Sequence, residues 1–468
     1  MNQRQLNRRQ FLVTTSALAA GAALSACAPV QQAAPAASTS GGAAKATGGF
    51  DWKRFSGAKV RITTLKFPIS DIQQARIAAF QDLTGIQVNW EELAEDQWRQ
   101  KVKVEHLAGT TDMSGFLSYW GQEGKQFMDS GWYTDLKPLI DDPTMTNPDF
   151  NWNDYTENLR QAAVIDGKIP IIPDRGSALP ILYYRRDLFE QFKLEKPKTW
   201  DDVMNAAKTI FEGTKGEVFG IVLRGKGAAA TSMFGPVLYD FGGKWFDRKT
   251  GDVAFNTPEA LAAFEWWGKI LREYGPPGSV NNHWAEVTSI FSQGKAAMCY
   301  DDIVFASTFG DKEKSQVVGK VGYSVAPRGP HSDDWRKLPP YSLGVSGLAI
   351  SGLNKDPGPA WYLVQYMSDR ETSKAYMLKG GLSPRQSVWD DAEVVKSLDP
   401  EFLEAAKASG TIAGPGAAPL SITNVAQARD YIGQVVVTAI QGGDVKTALQ
   451  TAYDQCAKLL EDERNHKG

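Results

Sequence analysis

Short apolar runs of β type alternate with amphipathic helical stretches along the chain, and this alternation restricts it to an α/β fold. Val60-Arg61-Ile62-Thr63-Thr64-Leu65 reads as a strand. From Ser70 to Thr84 the residues Ile72, Ala75, Ile77, Ala79, Phe80 and Leu83 recur at roughly helical spacing, and Gly85 is a plausible stop. Ile86 to Trp90 is a second strand, Asp96 to Ala108 a helix, Met113 to Tyr119 a third strand and Gly124 to Ser130 a short helix. This β-α repetition is that of a doubly wound sheet.

Further along, Gly167 to Pro173 and Leu179 to Tyr184 predict two strands around a loop. Trp200 to Phe211 predicts a helix capped by Thr199, with Asp201 and Asp202 in its first turn. Pro258, after Thr257, opens a long helix to about Tyr274. Ala296 to Tyr300 and Val321 to Ala326 read as strands, and Pro357 to Ser368, Asp399 to Ser409 and Val445 to about Arg464 as helices.

A chain of 468 residues is too long for one small domain, so two domains or lobes are expected. Its 51 Lys+Arg against 54 Asp+Glu leave a formal charge of −3, which supplies no field for holding nucleic acid. Four His and three Cys give no disulfide framework and little material for a metal site. Cys299 and Cys456 are expected to be buried free thiols.

The N-terminus is an address. Asn7-Arg8-Arg9-Gln10-Phe11-Leu12 precedes an apolar run to Ala26 that is too short to span a bilayer, as a secretory signal requires. Arg8-Arg9 followed by x-Phe-Leu resembles a twin-arginine export motif, although a basic n-region also suits the general export route. Leu24-Ser25-Ala26-Cys27 resembles the lipobox of bacterial lipoproteins, which makes Cys27 the expected lipidation site. The following residues to about Gly49 are Ala, Pro, Gln, Ser, Thr and Gly with one Lys, a composition suited to a flexible tether.

Motifs for bond chemistry are weak. Gly225-Lys226-Gly227-Ala228-Ala229-Ala230 fits G-x-G-x-x-A after a strand-like Phe219 to Leu223, but the residues that follow do not read as helix then strand, so a plain glycine turn is expected. The chain contains no G-x-x-x-x-G-K-[ST], G-x-S-x-G or H-E-x-x-H. His106, His283, His331 and His466 are scattered and read as surface or packing residues. Acid doublets occur at Glu91-Glu92, Asp201-Asp202, Asp301-Asp302 and Asp333-Asp334, and neighbours on a strand face opposite ways, so a doublet is a poor acid/base pair. Asp301-Asp302 differs in directly ending an apolar strand, where acids tend to face a cleft. Tyr119-Trp120, Trp245 and Trp335 lie at strand ends or in Gly-rich loops, where ring faces beside acids and Arg suit polyhydroxylated ligands; for each, core packing is the competing reading. Trp266-Trp267 reads as core.

The order of several segments resembles the family 1 extracellular solute-binding proteins, the carbohydrate-type binding components of bacterial ABC importers and relatives of maltose-binding protein. Phe80-Gln81-Asp82-Leu83-Thr84-Gly85-Ile86-Gln87-Val88 is similar to that family's F-x-x-x-T-G-I-x-V. Asp166 to Pro173 matches D-G-K-x-x-x-x-P. Leu182 to Phe189, followed by Pro197-Lys198-Thr199-Trp200, matches x-Y-Y-N-K-D-L-F and P-K-T-W, and Phe291 to Met298 matches F-x-x-G-K-A-A-M. The likeness runs from about Val60 to the end.

That resemblance implies a two-lobe periplasmic-binding-protein fold of the type II, Venus-flytrap kind, with a ligand cleft between lobes. Residues 1–27 would be signal peptide, 28–56 tether, 57–172 and 303–366 lobe one, and 173–302 and 367–468 lobe two. The family pattern places Tyr119, Trp120, Asp174, Arg175, Trp245, Asp301, Asp302, Tyr341, Gly344 and Arg385 at the ligand. Relatives often carry Pro-Trp where this chain has Ile303-Val304, so that stacking platform does not carry over. The function implied is capture of a sugar or oligosaccharide, without cofactor or metal, by a monomer on the outer face of the membrane that delivers to permease subunits. The alternatives are a non-sugar solute, such as a glycerol phosphate ester or polyamine, and a secreted carbohydrate hydrolase.

Overall fold

The computed structural model describes residues 49–109, 112–176, 180–247, 249–336, 345–410 and 422–465. The expected signal peptide and lipobox with Cys27, most of the tether, and both Tyr341 and Gly344 lie outside the described residues.

Eight strands form two sheets. The first holds β1 (Lys59–Leu65), β2 (Gln87–Leu93), β3 (Gly115–Tyr119), β4 (Ile172–Pro173) and β8 (Ser346–Ile350) in the order β2-β1-β3-β8-β4. The second holds β5 (Ile181–Arg185), β6 (Met298–Asp301) and β7 (Val321–Ser324) in the order β6-β5-β7. In the first sheet β1 pairs parallel with β2 and β3, while β8 runs antiparallel between β3 and β4. A strand from far downstream thus sits in the middle of a sheet begun at the N-terminal side. The chain therefore leaves the first sheet after Pro173, builds the second, and returns.

The return point differs from the expected lobe boundary. β7 pairs with β5 through Leu182↔Ser324 to Arg185↔Val321, so residues up to Ser324 belong with the second sheet, whereas 303–366 were assigned to lobe one. Gly347 lets the returning strand approach closely, since a Cβ there would lie 1.9 Å from the Ile172 carbonyl oxygen.

Each sheet has its own apolar core. The first is centred on Ile62, Phe80, Leu348, Trp361 and Tyr362. The second is built on Trp200, Phe234, Trp245, Phe264 and Trp267. A third apolar cluster joins Leu65, Phe67 and Phe116 to Ile181, Tyr183 and Cys299, so packing is continuous across the seam between the sheets.

Local chemistry explains the element ends. Thr199 Oγ1 accepts from the Asp202 N–H at 3.1 Å while Asp202 Oδ2 accepts from the Thr199 N–H at 2.9 Å, a reciprocal capping box for the helix Trp200–Gly213. Pro258 opens the helix Pro258–Tyr274 as expected. Gly85 at φ +74° ends the helix Ile77–Thr84. The single helix expected over 70–84 is two, Pro68–Ala75 and Ile77–Thr84. It breaks at Arg76, whose guanidinium forks onto Asp369 at 2.6 and 2.7 Å.

The expected glycine turn at Gly225-Lys226-Gly227 opens a helix instead, Gly227–Asp240. No named strand follows it until β6, so the nucleotide pattern is absent among the described residues. Helices Trp284–Ser292, Arg370–Leu378 and Val425–Gln441 were not legible from periodicity. Cys299 and Cys456 are buried free thiols.

Candidate functional site

The C-terminal ends of β1, β2 and β3 turn toward the second sheet, as ligand-facing ends do in α/β sheets. After β2 the helix Glu95–Leu107 begins with Glu95 and Asp96 in its first turn and Arg99 one turn on. After β3 a π-helical turn, Trp120–Gly124, carries Gln122 and Glu123. The second sheet answers with Arg224, with Lys226 before helix Gly227–Asp240, with His283 and Trp284 at the start of helix Trp284–Ser292, and with Arg429 on helix Val425–Gln441.

These groups enclose a cavity of 340 Å³, lined by Glu95, Arg99, Gln122, Arg224, His283 and Arg429 among others. Arg99 donates to Glu95 Oε1 from Nε at 3.2 Å and Nη2 at 3.0 Å, and also pairs with Glu123. The Trp284 indole N–H donates to Glu95 Oε2 at 2.9 Å, and Lys226 pairs with Asp96 at 3.0 Å. Arg429 donates to Gln122 Oε1 at 2.6 Å. All three of these last bonds run from the second-sheet side to the first-sheet side.

Electrostatics follow from burial. Burial would raise the Glu95 carboxyl, yet Arg99, His283 and Arg224 hold it down to about 2. Burial lifts Glu123 above the usual carboxylate range in spite of Arg99. Burial, then repulsion from Arg99, pulls Arg429 down to about 10. Arg429 bonds neutral acceptors, namely Thr231 Oγ1, Gln122 Oε1, the Ala228 carbonyl and Ser232 Oγ, and has no carboxylate in ion-pair contact among the described residues.

The crossing segments reach this cavity through Arg224. Asp301 ends β6 with no solvent exposure, and Arg224 forks onto it, Nε to Oδ2 at 2.9 Å and Nη2 to Oδ1. Asp302 caps the turn that follows through Oδ1, which accepts from the Val304 N–H at 3.2 Å. After β4, Arg175 donates to the Tyr119 hydroxyl at 2.7 Å, lies over the Phe67 ring at 4.6 Å, and neighbours Asp174. Among the described residues, Asp174 Oδ1 and the Tyr376 hydroxyl are buried without a hydrogen-bond partner.

Tyr119, Asp174, Arg175, Asp301 and Asp302 are thus brought together at the seam. Trp120 is beside them but packs its ring onto its own turn, where a Cβ at Gly124 would lie 2.2 Å from the indole. Trp245 and Arg385 are elsewhere, against expectation. Trp245 has no exposure and packs between Phe234 and Phe255 at 6.1 and 5.8 Å. Arg385 is equally buried and spends its donors on the Ser368 and Phe150 carbonyls at 2.6 and 2.9 Å, tying 383–387 to 150–156. Trp335 is structural too, donating to the buried Asp240 carboxylate at 3.0 Å.

Glu95, Arg99, Gln122, Arg224, Trp284 and Arg429 were missed from sequence. Arg224 directly follows the strand-like run Phe219 to Leu223, and that placement was the available signal for it. Arg429 lies inside a helix and offered none.

A family model described as bacterial extracellular solute-binding protein matches residues 69–374. The chain belongs to that family. It is a binding protein with an extracytoplasmic place of work and not an enzyme, which removes the hydrolase alternative. It is 26% identical over 418 residues to the erythritol/L-threitol-binding protein of Mycolicibacterium smegmatis, covering 83% of each chain. It is 30% identical over 247 residues to the mannitol-binding protein of Pseudomonas aeruginosa, covering 52% of this chain and 54% of that one. Its fold matches an ABC transporter solute-binding protein from Agrobacterium radiobacter, solved with ribitol, at a TM-score of 0.75 and 22% identity over 86% of this chain and 99% of that one. A second match, from Agrobacterium vitis with bound D-mannitol, has a TM-score of 0.73 at 24% identity over 88% and 99%. These structures share the two-lobe architecture.

Burial pushes the Asp174 carboxyl up to about 6 even with Arg175 adjacent, against roughly 3.9 in an unfolded chain. The folded state then holds the extra proton between these values. The group's contribution is greatest below about pH 4 and is lost as pH rises through 6, by up to about 3 kcal/mol. Denaturation curves between pH 4 and 7 should show this fall in the parent and a flatter profile in Asp174→Asn. Equal slopes in both would contradict the assignment.

Proposed function

We propose that the protein is the solute-capturing component of an ABC importer, anchored by lipid at Cys27, and that it closes its two lobes on a small polyol or sugar. The observation that carries this reading is the 340 Å³ cavity where carboxylates and guanidinium groups from both lobes converge. Hydroxyl groups both donate and accept, so Glu95 on one side and Arg99, Arg224 and Arg429 on others can each take one. Contacts to both lobes favour the closed form, since solute binds that form better, and the permease subunits then recognise a monomer in the closed state. The relatives named for erythritol, L-threitol and mannitol support a polyhydroxylated solute over a phosphate ester or polyamine. Asp301 supports the site by orienting Arg224, and Tyr119, Asp174, Arg175 and Asp302 lie with it at the seam.

Glu95→Ala removes the acceptor shared by Arg99 and Trp284. It is expected to weaken solute binding about tenfold or more in calorimetric titrations over a panel of sugars and polyols, with the protein still folded. Unchanged affinity would move the solute away from this cavity.

Anchoring has its own test. Each buried CH₂ contributes about 0.8 kcal/mol, so more than one acyl chain gives stable attachment. Cys27→Ala should move the protein from membrane to soluble fractions, and a variant that still pellets with membranes would defeat the lipoprotein reading.

A further inference from the structure

A second, larger chamber is lined in part by Trp284. It measures 720 Å³ and is lined by Phe67, Trp284, Tyr323, Tyr376 and Phe402, among other residues. The two linings have no residue in common. Among the described residues, no Trp, Tyr or Phe lines the smaller chamber. One chamber is therefore charged and without flat apolar faces, and the other is rich in them.

Trp284 stands at the division. Its ring lines the larger chamber, while its N–H holds Glu95, which lines the smaller, and its neighbour His283 lines the smaller as well. The indole stacks on Phe305 at 5.7 Å with an interplanar angle of 13°, and meets Phe67 edge-on at 5.6 Å and 75°. Phe67 is in turn covered by Arg175. Trp284 comes from the second-sheet side, Phe67 and Glu95 from the first, and Phe305 from the segment after β6, so the block is assembled when the lobes meet.

Resting on the reading above, we propose that Trp284 is the specificity wall of this cleft, confining the solute to the ring-free chamber and selecting a short acyclic polyol over a pyranose oligosaccharide. A pyranose gains much of its contact by laying a C–H face on an aromatic ring, and the described residues of the smaller chamber offer no such face. An acyclic polyol presents hydroxyls along its length and no flat face, which suits walls made of Glu95, Arg99, Gln122, Arg224 and Arg429. An oligosaccharide that kept a ring contact would have to reach the aromatic chamber on the far side of Trp284. Removing the wall joins the chambers and exposes ring faces to the charged groups.

The test is calorimetric titration of D-mannitol, erythritol and maltose into the parent, Trp284→Ala and Trp284→Phe, with thermal melts to confirm folding. The parent should bind at least one polyol about a hundredfold more tightly than maltose. Trp284→Ala should gain about tenfold for maltose and lose about tenfold for the polyol. Trp284→Phe keeps an aromatic block but loses the N–H to Glu95, so it should lose polyol affinity without gaining maltose. If Trp284→Ala does not fold, Trp284→Leu removes the ring and the N–H together and must give the same exchange. A parent that prefers maltose, or a folded opened variant whose maltose affinity is unchanged, overturns the wall while leaving a sugar-binding protein in place. A parent that binds none of the three overturns the solute reading and the wall with it.

Discussion

A carboxylate with no access to water is costly unless it is paired in good geometry, and Asp301 is such a group. Its partner Arg224 follows a segment that runs beside β6, with Val222 bridged to Cys299, and forks onto both oxygens. The Asp302 N–H adds a third bond to Oδ1 at 2.7 Å. These constraints fix where β6 ends, where the crossing turn begins, and how Arg224 is aimed into the cavity. Breaking the pair would leave one buried charge uncompensated at the point where the chain leaves β6.

The lobes meet through polar bonds around an apolar block. Trp284 to Glu95, Lys226 to Asp96 and Arg429 to Gln122 join side chains across the seam, and Phe67, Trp284 and Phe305 fill its middle. Lys226 and Asp96 are exposed and contribute little, as surface pairs do. Glu95 is different, because its three donors converge on a mostly buried carboxylate, and that convergence holds its ionised form. A solute hydroxyl entering here meets groups already oriented by one another, which limits the ordering cost of binding.

The fold was largely legible because its signals are local. Strand runs, the Thr199 capping box, Pro258 at a helix start and Gly85 at a helix end each depend on a few neighbouring residues. The return of β8 to the first sheet followed from the family resemblance, but the position of β7 did not, since strand pairing across more than a hundred residues leaves no local trace. In the site, Asp301 was visible as an acid ending an apolar strand. Trp245 and Arg385 misled for a common reason: an aromatic in a Gly-rich loop and an Arg after Ser-Pro are equally good as core pieces, and their burial is decided by Phe234, Phe255, Phe150 and Ser368, which are distant in sequence. Arg429 was invisible because a buried arginine on a helix has no pattern of its own.

On the proposed reading, solute brings the two lobes together over the seam between Glu95 and Arg429. Small-angle scattering measures this most directly, by comparing the radius of gyration without solute and at saturating D-mannitol or erythritol, whichever binds. Closure predicts a smaller radius with solute than without it. An unchanged radius at proven saturation would contradict it.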